Sequence, residues 1–171
     1  MSTTLISLDQ YLHTFWKPDR EFVDGEIVDR NLGEKDHAAW QLALAVWLRN
    51  WRNTANIRVY FELRLQTTPT RFRIPDIMVL DRDAPDEQII THPPLLCVEI
   101  LSREDRMPRF EGKIAEYFRM GVRAVWIIDA KTQTGYQSEG PTLQEWKPSA
   151  ILIIPGTPIR LELSALIADL D

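Results

Sequence analysis

The chain has 171 residues, of which 44% are apolar and 26% are charged, with one cysteine and a formal net charge of −5. This composition excludes a disordered chain, a collagen-like repeat and a disulfide framework, and it predicts one globular domain over residues 1–171. The negative charge disfavours a nucleic-acid partner, but residues 49–123 carry 13 basic and 11 acidic side chains, a balance compatible with a phosphate-facing surface or an ordinary solvated one.

The N-terminal third of the chain predicts a helix, a hairpin and a second helix. Ser7 begins a capping-box pattern, so a short helix is expected that ends before Pro18. Asp24-Gly25 separates two short apolar runs and predicts the turn of a hairpin. A helix is expected over residues 37–51, where an apolar stripe recurs at helical spacing. The stripe consists of Trp40, Leu44, Trp47 and Trp51.

The centre of the chain predicts the order helix, strand, strand, strand, helix, strand. Residues 57–66 alternate between apolar and polar side chains, which is typical of a half-buried strand. Pro75 lacks an N–H for a β-ladder, so an edge, a bend or a bulge is expected near it. The expected elements after residue 51 are strands at 57–66, 72–80 and 95–101, a helix at 108–120, a strand at 122–128, short strands over 135–163 and a terminal helix from Ser164.

Two carboxylates lie in predicted strands that are otherwise apolar. Asp76 falls within Ile74–Leu80, and Glu99 interrupts Leu95–Leu101. Burial of an ionised carboxylate is costly unless a cation, hydrogen-bond donors or a metal ion compensates its charge. Successive strands can bring both side chains to one site, where oxygen ligands suit a hard divalent cation such as Mg²⁺ or Mn²⁺. The alternative is that each carboxylate accepts backbone N–H groups or pairs with an arginine.

Several segments in a fixed order resemble one known family. One segment is N-terminal, and the others lie between residues 73 and 129, where they include both carboxylates. The segments are Glu21–Val28, Arg73–Val79, Val98–Ser102, Asp105–Met107, Lys113, Tyr117, Gly121-Val122, Val125-Trp126 and Ile128-Asp129. Their combination resembles the Uma2 (DUF820) family of the PD-(D/E)xK nuclease superfamily over about residues 7–137.

The resemblance implies an α/β (α+β) fold with a restriction endonuclease-like core. The superfamily core has the order αβββαβ, which matches the order that periodicity predicts for residues 37–129. A central mixed sheet flanked by helices is expected. An N-terminal helix and hairpin and a C-terminal β extension are expected to complete the fold.

The same resemblance implies a metal-dependent endonuclease that hydrolyses phosphodiester bonds of DNA. Asp76 corresponds to the aspartate of the PD pair and Glu99 to the acidic residue of the next strand, so both are expected to bind Mg²⁺ or Mn²⁺. The backbone carbonyl of Ile100 is an expected further ligand. Lys113 corresponds to the family's lysine on the following helix and is the third expected catalytic residue, with an ordinary surface lysine as its alternative. Such a cation activates water and stabilises charge on the scissile phosphate.

Two positions depart from the expected pattern. Leu101 stands two residues after Glu99, where the superfamily carries its lysine, and Lys113 is expected to replace that lysine. Arg109 stands where the family usually has an aspartate. These departures support an alternative, a catalytically impaired member that binds DNA or protein, as part of a mobile element. Convergence of Asp76, Glu99 and Lys113 in one polar cleft favours catalysis, and a guanidinium of Arg109 in the metal position favours the binding module.

Four further residues are candidates for the site. Glu62 and Glu26 are candidate additional ligands or water-mediated partners, and each has the alternative of an ordinary surface carboxylate. His37 matches a histidine that begins this helix in the family and is a candidate for contact with substrate or metal. Its alternative is a structural role near a helix N-terminus. Tyr117 is expected to pack against Lys113 and orient it.

The expected partner is DNA, from the resemblance. A homodimer is a further expectation, based on the Trp-rich apolar surface and the habit of the superfamily. The sequence lacks a secretory signal pattern and any run of about 20 apolar residues. We therefore expect no membrane association and a soluble, cytoplasmic protein.

Overall fold

The computed structural model describes residues 5–30, 34–102, 107–138, 140, 144–146 and 150–170. Its helices are α1 (Leu8–His13), α2 (Lys35–Asn50), α3 (Met107–Met120) and α4 (Leu163–Ile167). Its strands are β1 (Glu21–Val23), β2 (Glu26–Val28), β3 (Ile57–Phe61), β4 (Leu65–Thr68), β5 (Arg71–Arg73), β6 (Ile77–Asp81), β7 (Leu96–Leu101), β8 (Ala124–Asp129), β9 (Thr134–Ser138), β10 (Gln144–Trp146), β11 (Ile151–Ile153) and β12 (Arg160–Glu162). Among the described residues, no helix has both the length and the apolar character needed to cross a membrane.

A six-stranded mixed sheet forms the centre of the fold. Its strand order is β10-β9-β8-β7-β6-β3. Strands β7 and β8 are parallel, and the other neighbours are antiparallel. The parallel pair requires a crossover connection, which α3 supplies. The elements α2, β3, β6, β7, α3 and β8 give the order αβββαβ, so the predicted fold class is confirmed.

The N-terminal hairpin belongs to a second, four-stranded sheet with the order β2-β1-β5-β4. Asp24 and Gly25 connect β1 to β2 with φ angles of 50° and 97°, and two successive positive φ values suit a two-residue hairpin turn. Strand β1 also pairs with β5, with Phe22 opposite Phe72. The hairpin is thereby attached to the middle of the chain.

The predicted strands at 57–66 and 72–80 are each divided in two, which corrects the sequence-based boundaries. The chain leaves β3 at Glu62, whose φ angle is 53°, and resumes as β4 in the other sheet. It leaves β5 before Pro75 and resumes as β6 in the six-stranded sheet, so the bend expected at this proline is confirmed. Apolar and polar side chains alternate through the break at Glu62, and residues 72–80 are mostly apolar, so the sequence pattern predicts a continuous strand in both places. Asp76 lies in a break between strands.

The two faces of the six-stranded sheet are buried against different helices. The face covered by α2 includes Leu96, Val98 and Ile100 of β7, with Trp40, Leu44 and Leu48 of the helix. The face covered by α3 includes Cys97 of β7, with Phe110, Ile114 and Tyr117 of the helix. Because side chains alternate across a strand, Glu99 points to the same face as Cys97. This places the buried carboxylate opposite α3.

Replacement by alanine of two glycines in the α3 region should change the free energy of unfolding in opposite directions. Gly121 follows the helix with a φ of 102°, and a Cβ there would lie 3.3 Å from Pro93 Cγ, whereas a Cβ on Gly112 within the helix would meet nothing within 4 Å. We expect Gly121→Ala to lower the free energy of unfolding by about 1–2 kcal/mol through backbone strain. We expect Gly112→Ala to raise it by about 0.5–1 kcal/mol through helix propensity. Urea unfolding measures both changes, and a gain from Gly121→Ala would contradict the left-handed backbone at this position.

Candidate active site

Asp76 lies between Pro75 and the first residue of β6, and its side chain is 8% exposed. Its Oδ2 accepts a hydrogen bond from the backbone N–H of Ile100 at 2.7 Å. Its Oδ1 accepts a hydrogen bond from Arg30 Nη2 at 3.0 Å and lies 3.5 Å from His37 Nε2. The carboxylate is therefore held between β7 and two basic side chains.

Asp76 remains ionised in spite of its burial. Burial raises the pKa of Asp76, but the hydrogen bond and charge of His37 outweigh this effect, and the N–H of Ile100 and the charge of Lys113 act in the same direction. The net pKa of Asp76 lies below its ordinary value. Conversely, burial lowers the pKa of His37, and the contact with Asp76 outweighs burial and raises it. Oδ1 thus faces positive charge.

Glu99 is almost completely buried in β7 and is held by two donors of α3. Lys113 Nζ donates to its Oε2 at 2.8 Å, and Tyr117 Oη donates to its Oε1 at 2.6 Å. The two donors are four residues apart, so they lie on the same side of the helix. Burial raises the pKa of Glu99 to about 7, against the lowering effect of Lys113. The orientation of this carboxylate is fixed by α3.

Lys113 bridges carboxylates that belong to the two different sheets. Its Nζ lies 2.8 Å from Glu99 Oε2 and 2.8 Å from Glu21 Oε1. Burial alone would lower the pKa of this amine, but the two carboxylates outweigh burial and raise the pKa. Lys113 is therefore a protonated donor at neutral pH and supplies a fixed positive charge.

Glu21, the first residue of β1, is a site residue that the sequence-based analysis missed. Its Oε1 accepts the backbone N–H of Ile74 at 3.0 Å, and its Oε2 accepts Arg73 Nη1 at 3.0 Å. Burial raises the pKa of Glu21, but Lys113 and Arg73 outweigh it and hold the pKa at about 2. The one sequence signal that includes this residue is the family-like segment Glu21–Val28. Its approach to Lys113 depends on the pairing of β1 with β5, which no local pattern predicts.

Glu116, a buried carboxylate of α3, attaches the helix to the smaller sheet. Arg73 donates to it twice, from Nε to Oε2 at 2.8 Å and from Nη2 to Oε1 at 2.7 Å. Arg71 Nη1 donates to Oε1 at 2.6 Å, and Thr67 Oγ1 donates to Oε2 at 3.2 Å. Burial raises the pKa of Glu116, but the two arginines outweigh it and lower the pKa. Because Glu116 lies three residues after Lys113, this network fixes the turn of the helix that carries the lysine.

One cavity of about 60 Å³ brings together Asp76, Glu99 and Lys113, the three residues predicted to be catalytic. Its remaining lining consists of Glu21, Arg30, His37, Arg73, Ile100, Ser102 and Phe110. A cavity of this size holds a hydrated ion or a few waters, since one water requires only about 10–15 Å³ of such volume. It does not hold a nucleotide, so a nucleic acid would contact it from its mouth.

The donor set of the cavity fits a hard divalent cation. Asp76, Glu99 and the backbone of Ile100 supply oxygen atoms, and Mg²⁺ is usually held by one or two carboxylates while it keeps several waters. In the described part of the chain, no group of three or more His, Cys, Asp or Glu side chains forms a metal cluster. Two carboxylates nevertheless suffice for Mg²⁺, and an ionised carboxylate has roughly four lone-pair positions, more than the protein donors occupy.

The chain is similar to known proteins over nearly its whole length. Residues 8–164 match the family described as "Uma2: Putative restriction endonuclease". The chain belongs to the Uma2 family. The crystal structure titled as "a putative nuclease belonging to DUF820" from Anabaena variabilis ATCC 29413 has a similar fold, with a TM-score of 0.84, 22% sequence identity, and coverage of 97% of this chain and 99% of that chain. No curated protein matches the sequence. The predicted family and its nuclease-like fold are confirmed.

One of the additional candidates in this Uma2 chain, His37, lines the cavity, and a second, Glu62, contacts a residue of its lining. His37, in the first turn of α2, lines it beside Asp76. Glu62 is about half exposed at the end of β3, and its Oε1 lies 3.5 Å from Arg30 Nη2. Arg30 is the second site residue that the sequence-based analysis missed. It follows β2 outside any motif, and it reaches Asp76 only because the hairpin packs beside the break before β6.

The structure places two further candidates, Tyr117 and Glu26, differently from expectation. The side chain of one other residue, Arg109, is not among those that the structure describes. Tyr117, expected to orient Lys113, donates its hydroxyl to Glu99, which Lys113 also contacts. Glu26 is exposed on β2 and does not belong to the cavity lining that the described residues form. The side chain of Arg109 lies outside the described part of the structure, so the role expected for its charge stays a prediction.

Replacement of Glu21 should lower stability in a pH-dependent manner. The pKa of Glu21 is about 2 in the fold against an ordinary value of 4.5. The ionised side chain therefore stabilises the fold above pH 4.5, and this contribution is lost as the pH falls from 4.5 toward 2. We expect Glu21→Gln to lower the free energy of unfolding by about 3 kcal/mol near neutral pH. Denaturant unfolding across the acidic range should show the two proteins becoming similar in stability.

Glu26→Gln is the matched control, because this carboxylate belongs to the same hairpin and is exposed. Its effect on the free energy of unfolding should stay within about 0.5 kcal/mol at every pH. An effect of Glu21→Gln that has the same size at neutral and at acidic pH would contradict the ionised, buried state of Glu21.

Proposed function

We propose that this chain is a nuclease that depends on a divalent metal ion and hydrolyses phosphodiester bonds of DNA. The observation that carries the proposal is the convergence of Asp76, Glu99 and Lys113 at one buried polar cavity. The restriction endonuclease description of the family and the nuclease title of the structural neighbour support the reaction class. Mg²⁺ or Mn²⁺ is the cofactor that suits the donors.

The roles of the residues follow from their contacts. Asp76, Glu99 and the carbonyl of Ile100 are the groups that would hold the cation. When bound, such a cation lowers the pKa of a coordinated water and neutralises charge on a phosphate oxygen. Lys113 adds a second positive charge that stabilises the negative charge developing on the phosphate. Glu21 and Glu99 hold the ammonium from two sides, so it is in position before substrate arrives.

The alternative is a non-catalytic member that binds DNA or protein. The hydrogen bond between Arg30 and Asp76 favours this function, because the guanidinium already neutralises one of the proposed ligands. In that case Asp76 would serve the fold by binding Arg30 and the N–H of Ile100. DNA cleavage and metal binding distinguish the two functions.

Asp76→Asn should abolish metal-dependent cleavage while the fold is retained. The amide oxygen can still accept the N–H of Ile100, but the side chain lacks the charge that a divalent cation requires. Nicking of supercoiled plasmid DNA in Mg²⁺ or Mn²⁺ should fall by about 100-fold or more. Asp86→Asn is the control, because Asp86 is 90% exposed and pairs with Arg58 at the surface, and this variant should keep wild-type activity.

Cleavage that persists in Asp76→Asn, or in wild type after chelation of the metal, would exclude the proposed site. Binding of DNA by wild type without any cleavage in either metal would favour the binding module.

Lys113→Met should reduce turnover much more than metal affinity. Loss of one preorganised charge at the reacting phosphate typically lowers turnover by about 100-fold. Single-turnover cleavage measures the change in turnover, and calorimetric titration with Mn²⁺ should show a smaller change in metal affinity. Lys131→Met removes an exposed lysine and is the control. Lys113→Gln keeps hydrogen-bond donors for the carboxylates and provides a second variant if the methionine variant unfolds.

Turnover that stays at the wild-type level in a folded Lys113 variant would assign this lysine a purely structural role.

A further inference from the structure

The guanidinium of Arg30 occupies the oxygen of Asp76 that a cation would need. The other oxygen, Oδ2, is bonded to the backbone N–H of Ile100 at 2.7 Å and is thereby fixed to β7. The remaining oxygen, Oδ1, is 3.0 Å from Arg30 Nη2 and 3.5 Å from His37 Nε2. Arg30 is largely buried, with 16% of its side chain exposed, and it lines the cavity. A divalent cation that approached Oδ1 would therefore meet the charge of this guanidinium as well as the ring of His37.

Glu62 offers the same guanidinium a second acceptor. Its Oε1 lies 3.5 Å from Arg30 Nη2, and its side chain is 48% exposed. The backbone N–H of Glu62 donates to the carbonyl of Asp76 at 3.3 Å, so the two acidic residues belong to adjoining segments. A short movement of Arg30 toward solvent would exchange one carboxylate for the other. The displaced charge would then keep a partner instead of being left buried and unpaired, which is the costly outcome.

We propose that Arg30 is an internal competitor of the metal ion, bound to Asp76 when no cation is present and transferred to Glu62 when a divalent cation binds. This inference rests on the proposed metal-dependent function and deepens it. Arg30 and Glu62 together then determine the affinity of the site for its cation, and Glu62 acts as the acceptor for the arginine rather than as a metal ligand.

The competition has a measurable size. When a site is available for only a fraction of the time, the apparent dissociation constant equals the intrinsic constant divided by that fraction. If Arg30 engages Asp76 for about nine tenths of the time, its removal makes binding about tenfold tighter. Removal of the Glu62 carboxylate should weaken cation binding. Of the two acceptors Asp76 and Glu62, Arg30 then keeps only Asp76 and engages it for more of the time.

The test is a calorimetric titration of the full chain with Mn²⁺. Arg30→Met should bind Mn²⁺ about tenfold more tightly than wild type, and Arg30→Gln should bind more tightly as well. Arg20→Met is the matched control: it removes the same charge from the same hairpin region, where Arg20 pairs with the exposed Asp29 at 3.0 Å. Its affinity should remain within about twofold of wild type, because Arg20 pairs with Asp29 and does not line the cavity, and a partly exposed charge is screened.

A double-mutant cycle identifies the role of Glu62. Glu62→Gln should weaken Mn²⁺ binding about threefold or more in the wild-type background and have no effect in the Arg30→Met background. Thermal unfolding gives an independent measurement, since Mn²⁺ should raise the melting temperature of Arg30→Met more than that of wild type at the same concentration. This comparison also shows whether each variant is folded.

Three results would overturn the inference. They differ in whether they also reject the proposed metal-dependent function. Equal Mn²⁺ affinity of wild type and the folded Arg30 variants, with binding abolished in Asp76→Asn, would reject the competition and leave the proposed metal site intact. Equal weakening by Glu62→Gln in both backgrounds would make Glu62 a metal ligand and reject the transfer of Arg30. Absence of Mn²⁺ binding in wild type and in both Arg30 variants would reject the inference together with the proposed metal dependence.

Discussion

The geometry of the site depends on one contact, the ammonium of Lys113 between Glu99 and Glu21. It joins α3, the six-stranded sheet and the smaller sheet at a single atom, with both distances at 2.8 Å. A buried ion pair adds little net stability, because desolvation offsets the attraction, but the loss of one partner is strongly destabilising. Movement of α3 or of either sheet away from this contact would leave a buried charge without its partner and would therefore cost free energy. That penalty keeps the lysine at the cavity.

The cavity is not purely acidic, because basic side chains line it as well. Its carboxylates are Glu21, Asp76 and Glu99, and the basic side chains in its lining are Arg30, His37, Arg73 and Lys113. Each carboxylate contacts at least one of these basic groups, as the low polarity of a buried site requires. The fold consequently does not need a metal ion to compensate its acids. A cation that binds here has to replace internal contacts, so its affinity reflects the difference between two sets of interactions.

Local patterns predict the parts of this structure that depend on neighbouring residues. The apolar run of β7 identifies Glu99 as a buried acid, and strand periodicity determines the face to which it points. The four-residue spacing of Lys113 and Tyr117 places both side chains on one side of α3. The family resemblance adds the expectation that Asp76, Glu99 and Lys113 meet at one site. The structure brings these three residues to the same cavity, while their catalytic roles stay predictions.

The parts that the sequence does not predict depend on contacts between distant segments. Glu21 begins the N-terminal hairpin and Arg30 follows it. Both side chains reach the cavity because β1 of the hairpin pairs with β5. Side chains alternate through the break at Glu62, and the residues around Pro75 are mostly apolar, so neither pattern shows that the chain changes sheets there. Under the proposed function, the contacts of Glu21 and Arg30 decide whether Asp76 is available to a cation. Under the same proposal, the hairpin, which lies outside the αβββαβ core, controls the chemistry that the acids of the core perform.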